Sequence, residues 1–227
     1  MATLLLCLAG PLQSWGTTSR FDERDTQLEP SKSGVLGLVC AALGRDRAEP
    51  VDDLAALRMG VRVDREGIPM RDYHTATGVV VASTGKPNLN RTVVSQRYYL
   101  SDAVFLVGLE GDTALLSRIH DSLRSPWWPI SLGRKSFLPS RPVYLPDGLV
   151  TTNLLTALQS APSLVVDASD ETSAGKTHRV VLEDNAEGAV RFDEPVAPFA
   201  DRCFGPRFVK TFNLATGGDD VSRATDA

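Results

Sequence analysis

Cysteine is scarce in this chain, and its three copies (Cys7, Cys40 and Cys203) lie far apart with no CxxC pair. That spacing excludes a zinc knuckle and gives no disulfide framework. Cys7 and Cys40 sit inside apolar runs, where a free thiol acts as a small hydrophobe, so a reducing cytoplasm is the expected location. Histidine is equally sparse: His74, His120 and His178 have no ligand partner at helical spacing. HExxH, GxSxG and GxGxxG are all missing, and no GxxxxGK[ST] loop is present to cradle a nucleotide. The aromatic signature of a base-stacking RNA-recognition sheet is missing too. No apolar run approaches the roughly 18 residues of a membrane span. The opening Met1–Gly10 mimics a short signal-peptide core but lacks a basic flank and runs into Gly10-Pro11, so it is expected to be a buried first strand. These absences predict no metal, no cofactor and no membrane partner.

What is present is an ordinary globular composition, 42% hydrophobic and 23% charged over 227 residues, with a net charge of −4. A negative total argues against indiscriminate polyanion binding. The charge is unevenly spread, however. Arg58 to Tyr99 holds seven basic and three acidic residues, Arg118 to Leu145 five and one, and Asp167 to the end seven and twelve. One face could hold a nucleic acid while another meets a protein; equally, the basic tracts are solvated surface.

Along the chain, Leu4–Leu8 reads as a strand closed by Gly10-Pro11. Gln13 to Ser31 is a long polar connection, of the kind that is usually functional or disordered. Ser33 reads as an N-cap, Val35 to Leu43 as a largely buried helix, and Gly44 as its stop. Asp52 to Met59 reads as a second short helix, Val61-Arg-Val as a strand and Glu66-Gly67 as a turn. Tyr73 to Gln96 is too polar to pack internally and suggests a protruding hairpin or a mobile loop around Val79-Val-Val81. Ala103 to Leu109 is a strong strand, and Leu115, Leu116, Ile119 and Leu123 mark one face of a helix over Thr113–Leu123, which Ser125-Pro126 ends. This order is most of a split βαβ, ferredoxin-like unit. After Pro146 short β-like runs (Ser163–Val166, His178–Leu182, Ala189–Phe192, Arg207–Phe212) suggest a small β-rich second lobe, and the tail from Gly217 looks disordered.

Three segments carry candidate chemistry. Arg71-Asp-Tyr-His-Thr75 joins a cation, a carboxylate, an aromatic and an imidazole. Tyr73 and His74 could be the acid and base of a metal-independent RNA cleavage, or contact bases and phosphates, or simply end a strand. In Gly133-Arg-Lys-Ser-Phe137, glycine allows close backbone approach to a phosphate while Arg134, Lys135 and the Ser136 hydroxyl donate to it. Trp127 and Trp128, just before it, suit the core or an interface better than a stacking platform. Ser31-Lys-Ser-Gly34 at the start of the first helix offers free N–H groups, Lys32 and two hydroxyls, which is either an anion site or a plain cap.

Leu8-Ala-Gly-Pro-Leu-Gln-Ser-Trp-Gly16, Pro30-Ser-Lys-Ser-Gly-Val-Leu-Gly-Leu38, Arg71-Asp-Tyr-His-Thr75, Tyr99-Leu-Ser-Asp-Ala-Val-Phe105 and Gly133-Arg-Lys-Ser136, taken in series, resemble the type I-E branch of the fifth CRISPR-associated protein family, part of the RAMP superfamily. The resemblance spans nearly the whole chain. It implies an α+β fold: a ferredoxin-like (RRM-like) domain over 1–145, an inserted thumb β-hairpin at about 75–96, and a small β-rich region over 146–216. It also implies a non-catalytic RNA-binding subunit of the Cascade surveillance complex in antiviral defence. Such subunits cap the 5′ handle of the crRNA, contact the large subunit and a backbone subunit, and meet target DNA only through the complex. Carried onto this chain, the handle pocket would draw on Gln13, Trp15, Lys32, Ser33, Arg71, Tyr73, His74, Arg97, Gly133, Arg134, Lys135 and Ser136. Type I-C relatives cleave repeat RNA themselves, so the endoribonuclease reading of Tyr73 and His74 stays open beside the binding one. A third reading makes the acidic C-terminal part a protein-docking surface.

Overall fold

A computed structural model describes residues 2–18, 23–81, 83–165 and 177–215. The chain opens with β1 (Ala2–Ala9), all eight residues of which are buried. Such a run is the mark of a strand covered on both faces. Leu4, Leu6 and Leu8 join the main core, whereas Leu5 packs in a second cluster and Cys7 and Ala9 in a third on the opposite side.

Two-residue strands β2 (Leu12–Gln13) and β3 (Glu23–Arg24) lead to helix α1 (Lys32–Leu43). Its N-cap is Ser31, two residues earlier than the sequence suggests, with its Oγ accepting from the Gly34 amide at 3.3 Å. Gly44 closes the helix in the left-handed conformation (φ 72°), as its position implied. Helix α2 is only Asp52–Ala55, because the residues expected to extend it enter strand β4 (Arg58–Arg65). A long hairpin follows, β5 (Ile68–Thr77) and β6 (Thr92–Ser101), paired over ten residues each. It therefore begins earlier and ends later than the polar stretch alone indicated. Strand β7 (Val104–Gly111) and helix α3 (Thr113–Arg124) come next; Asp112 caps α3, and its expected face of Leu115, Leu116, Ile119 and Leu123 is buried.

The remaining elements are β8 (Tyr144–Val150), α4 (Leu154–Ser160), β9 (Thr177–Asp184), β10 (Ala189–Pro195) and β11 (Phe204–Ala215). Among the described residues the main sheet has seven strands in the order β10-β11-β9-β4-β7-β1-β8. Helices α1 and α3 pack on one face and α4 on the other. The fold is thus mixed α+β, but the second lobe expected after Pro146 is absent as a separate body. The proposed boundary falls inside β8, and β9 pairs directly with β4, so the C-terminal strands extend the main sheet. Helix α4 had no counterpart in the sequence reading. Residues 163–165 form no strand; Leu164 and Val165 instead pack beside Cys7 and Ala9. Val166 and the C-terminal tail lie outside the described residues.

Close packing of α4 explains two glycines. Gly60 and Gly108 face each other across β4 and β7, and a Cβ on either would meet Leu154 or Leu158 within 3 Å. Beyond them, buried Arg62 pairs with buried Asp64 and donates to the Leu158, Ala161 and Pro162 carbonyls at the end of α4. The pair satisfies carbonyls that a helix end would otherwise leave orphaned.

Candidate nucleic-acid interface

Strand β6 organises the site. Strand β5 takes one edge along its whole length, so β2 and β3 share the other: Leu12 and Gln13 pair with Ser101 and Leu100, and Glu23 and Arg24 run parallel to Gln96 and Arg97. Against this base sits the Gly133 loop. Its turn is closed by the Phe137 amide donating to the Arg134 carbonyl at 2.8 Å, and the Ser14 amide donates to the Leu132 carbonyl at 3.1 Å. Gly133 has φ +92°, and a Cβ there would fall 1.7 Å from the Ser14 oxygen. Glycine is needed at this point to let the loop approach its own chain.

Arg134 is held by this geometry. Its Nη2 donates to the Tyr98 carbonyl at 3.0 Å and to the Arg24 carbonyl at 3.4 Å. Its guanidinium lies 5.5 Å from the Phe137 ring centroid, and Phe137 meets Tyr99 edge-on. Burial lowers the Arg134 pKa, and the positive charges of Arg97 and Arg24 lower it further, only partly offset by Asp72 and Asp25. Among the described residues Arg24, Arg97, Arg134 and Lys135 form no ion pair. Several guanidinium groups therefore crowd one place with too little negative charge to balance them, which is what an anion-binding site requires before its anion arrives.

Beside this cluster runs an open groove of about 920 Å³. Its floor is the one face of α1 left uncovered, Ser33, Gly34, Gly37 and Ala41, and Trp128 to Ser131 form its far wall.

The residues expected at the site separate into three groups. Ser33, Gly133, Arg134 and Lys135 line the groove, Arg97 adjoins Arg134, Ser136 follows Lys135 in the loop, and His74 lies further along the hairpin. His74 is exposed and bonds to Asp72 at 2.5 Å, and alternation puts both on the face of the hairpin that carries Arg97 and Tyr99. Arg71 and Tyr73 are exposed but belong to the opposite face, with Gln96 and Tyr98.

Gln13 and Lys32 are corrections, while Trp15 borders the groove from inside the core. Gln13 is fully buried, donating to the Leu8 and Ala103 carbonyls and accepting from the Trp15 indole at 3.1 Å. Trp15 is 1% exposed. Lys32, equally buried, is paired with Glu183 at 2.9 Å and Glu194 at 3.0 Å. The free amide of α1 that suggested an anion site has its anion already: the Lys32 N–H donates to Asp193 at 2.8 Å, and Arg207 holds that carboxylate from the other side.

Arg24 was missed by sequence reading, since a two-residue strand has no detectable period. The polar Gln13–Ser31 segment around it was the only signal. Nor is the basic tract from Arg58 uniformly surface: Arg62 is internal and Arg58 lies against Glu110.

The pattern of the family described as CRISPR-associated protein (Cas_Cas5) matches residues 3–210. The chain belongs to the Cas5 family. It is homologous to the CRISPR system Cascade subunit CasD of Escherichia coli (strain K12), at 33% identity over 156 residues covering 63% of this chain and 69% of that protein. A crystal structure of a Cas protein is similar to this Cas5 chain at 49% identity, TM-score 0.76, over 94% of this chain and 95% of the other. So is a chain of a CRISPR RNA-guided surveillance complex, at 32% identity, TM-score 0.77, over 94% and 90%.

Proposed function

We propose that this Cas5 protein is a non-catalytic RNA-binding subunit of a type I-E CRISPR surveillance complex, holding the 5′ handle of the crRNA where the Gly133 loop meets the hairpin. In this reading β1, α1, β4, β7, α3 and β8 form a ferredoxin-like unit, because the strands run β8-β1-β7-β4 with antiparallel neighbours. The β5–β6 hairpin is its thumb. The large subunit and an adjacent backbone subunit are its protein partners, and target DNA is met only through the complex.

The observation that carries the proposal is the crowding of Arg24 and Arg97 around the half-buried, immobilised Arg134. Phosphate contacts at such a place supply affinity, and base edges presented to the groove supply specificity for a short invariant handle. Because guide sequence varies, contacts along the hairpin from Arg71 and Tyr73 would go to backbone and shape.

Alternation along β5 disfavours the endoribonuclease alternative. Neighbouring Tyr73 and His74 project to opposite faces of a two-stranded ribbon, so they do not converge on one phosphate. Among the described residues the docking reading of the acidic C-terminal part also loses ground, since Glu183, Asp184, Glu187, Asp193 and Glu194 are held by cations of the same chain.

Photocrosslinking of RNA that co-purifies with the full chain and its neighbours tests the proposal. Crosslinks at Arg24, Arg97 and the Gly133 loop are expected, all to one 5′ sequence. Crosslinks confined to other surfaces would overturn it. Incubating repeat RNA with the pure protein in EDTA is expected to leave the RNA intact, and specific cleavage lost in His74→Ala would favour the nuclease.

A further inference from the structure

We infer that the groove takes a single nucleobase, stacked on the indole of Trp128 above the Gly37 face of α1. This rests on the reading of the groove as an RNA site and adds which part of the RNA the groove recognises.

Helix α1 contains two interior glycines, each a cost of about 0.5–1 kcal/mol relative to alanine. Gly34 is required by the fold, since a Cβ there would lie 2.8 Å from the Trp15 ring. Gly37 is not: a Cβ at this position would meet nothing within 4 Å. Its missing side chain keeps open the floor of a groove whose apolar surroundings include Leu38, Ile130 and Leu138.

Two tryptophans stand nearby and differ in a useful way. Both backbone amides bond to the end of α1, Trp127 to the Ala42 carbonyl and Trp128 to the Ala41 carbonyl, each at 3.0 Å. Trp127, 75% exposed, rests on Gly44 outside the groove. Trp128, 42% exposed, lines it. Arg24, Arg47, Arg134 and Lys135 edge the same groove against the carboxylates of Asp25 and Asp46, and Arg45 beside them is paired with Asp53. An available indole, a floor of small residues and a cationic rim suit a flat aromatic ring joined to phosphate, the recurring chemistry of single-strand recognition. The rim's charge disfavours a basic or neutral peptide as occupant.

The full chain would be titrated with labelled octa-adenylate and with an abasic ribose-phosphate oligomer of equal charge. Trp128→Ala is expected to weaken octa-adenylate binding about tenfold and leave the abasic oligomer unaffected, and Trp128→Phe to restore most of the loss. Gly37→Leu should retain helical content and Tm while weakening octa-adenylate comparably, and Trp127→Ala should change neither ligand. Equal loss for both oligomers in Trp128→Ala, or no loss at all, would overturn the slot. If Arg134→Ala then still weakens both oligomers, the RNA reading survives without it. If Arg134→Ala weakens neither, the RNA reading fails as well.

Discussion

Lys32 and Arg134 both lie in segments whose sequence promises an anion site, and the fold treats them in opposite ways. At the start of α1, Lys32 is enclosed by Glu183 and Glu194, and the helix amide beside it is held by Asp193. At the base of the hairpin, Arg134 is fixed by backbone carbonyls and surrounded by further cations. Cations with carboxylate partners weld the C-terminal strands to the main body. Cations held in place without them leave positive potential for a ligand to neutralise. The distinction is set by what the C-terminal strands bring, 150 or more residues away in the chain, which is why local motifs alone did not separate the two cases.

The sharpest way to break the comparison is Lys32→Ala, which leaves Glu194 without its cation and Glu183 with only Arg207, 3.6 Å away. It is expected to lower unfolding free energy by about 3 kcal/mol, towards the lower end for a broken buried pair because Glu194 retains some solvent. RNA affinity per folded molecule should be unchanged, and denaturant titration with binding assays checks both. Gln13→Ala removes the donors to Leu8 and Ala103 and the acceptor for Trp15, and should cost about 2 kcal/mol, again without loss of RNA affinity. If RNA binding fell more than stability in either variant, these residues would belong to the interface after all. Arg24→Ala should do the reverse, altering stability by no more than about 0.5 kcal/mol while weakening RNA binding.

The smallest effect concerns the exposed end of the ion-pair network. Asp184 is held at a pKa of about 2, below the ordinary aspartate value of 3.8, first by the Ala186 and Glu187 amides and then by Lys210. A carboxyl with a depressed folded-state pKa contributes stability above its unfolded value and loses it as pH falls through the folded one. The Tm difference between the wild type and Asp184→Asn should therefore shrink across pH 4 to 2. An unchanged difference would remove Asp184 from the network.

Much of the architecture was legible because local patterns agreed with it. The unbroken apolar run of β1, the Leu115–Leu123 face of α3 and the Gly44 stop all follow from periodicity and backbone preference. The hairpin was visible as polarity, though not its length, since β5 and β6 continue pairing into residues that look like ordinary strand. The single sheet was not legible. Strands β9, β10 and β11 carry turn-rich flanks that read as a separate lobe, and only the pairing of β9 with β4 joins them to the main sheet. At the candidate site, the Gly133 motif reads as a close approach to phosphate, whereas the fold shows its glycine in close approach to Ser14. Gln13 and Trp15 sit in a motif as informative as any other, yet nothing local reveals that their polar atoms face each other inside the core.

The salt dependence of RNA binding tests the central claim most directly. With Arg97 and Arg134 both replaced by alanine, the slope of log affinity against log salt concentration should fall in magnitude by about 1.4, two phosphate contacts on a single strand. A slope equal to that of the wild type would mean that this cluster does not hold the RNA backbone.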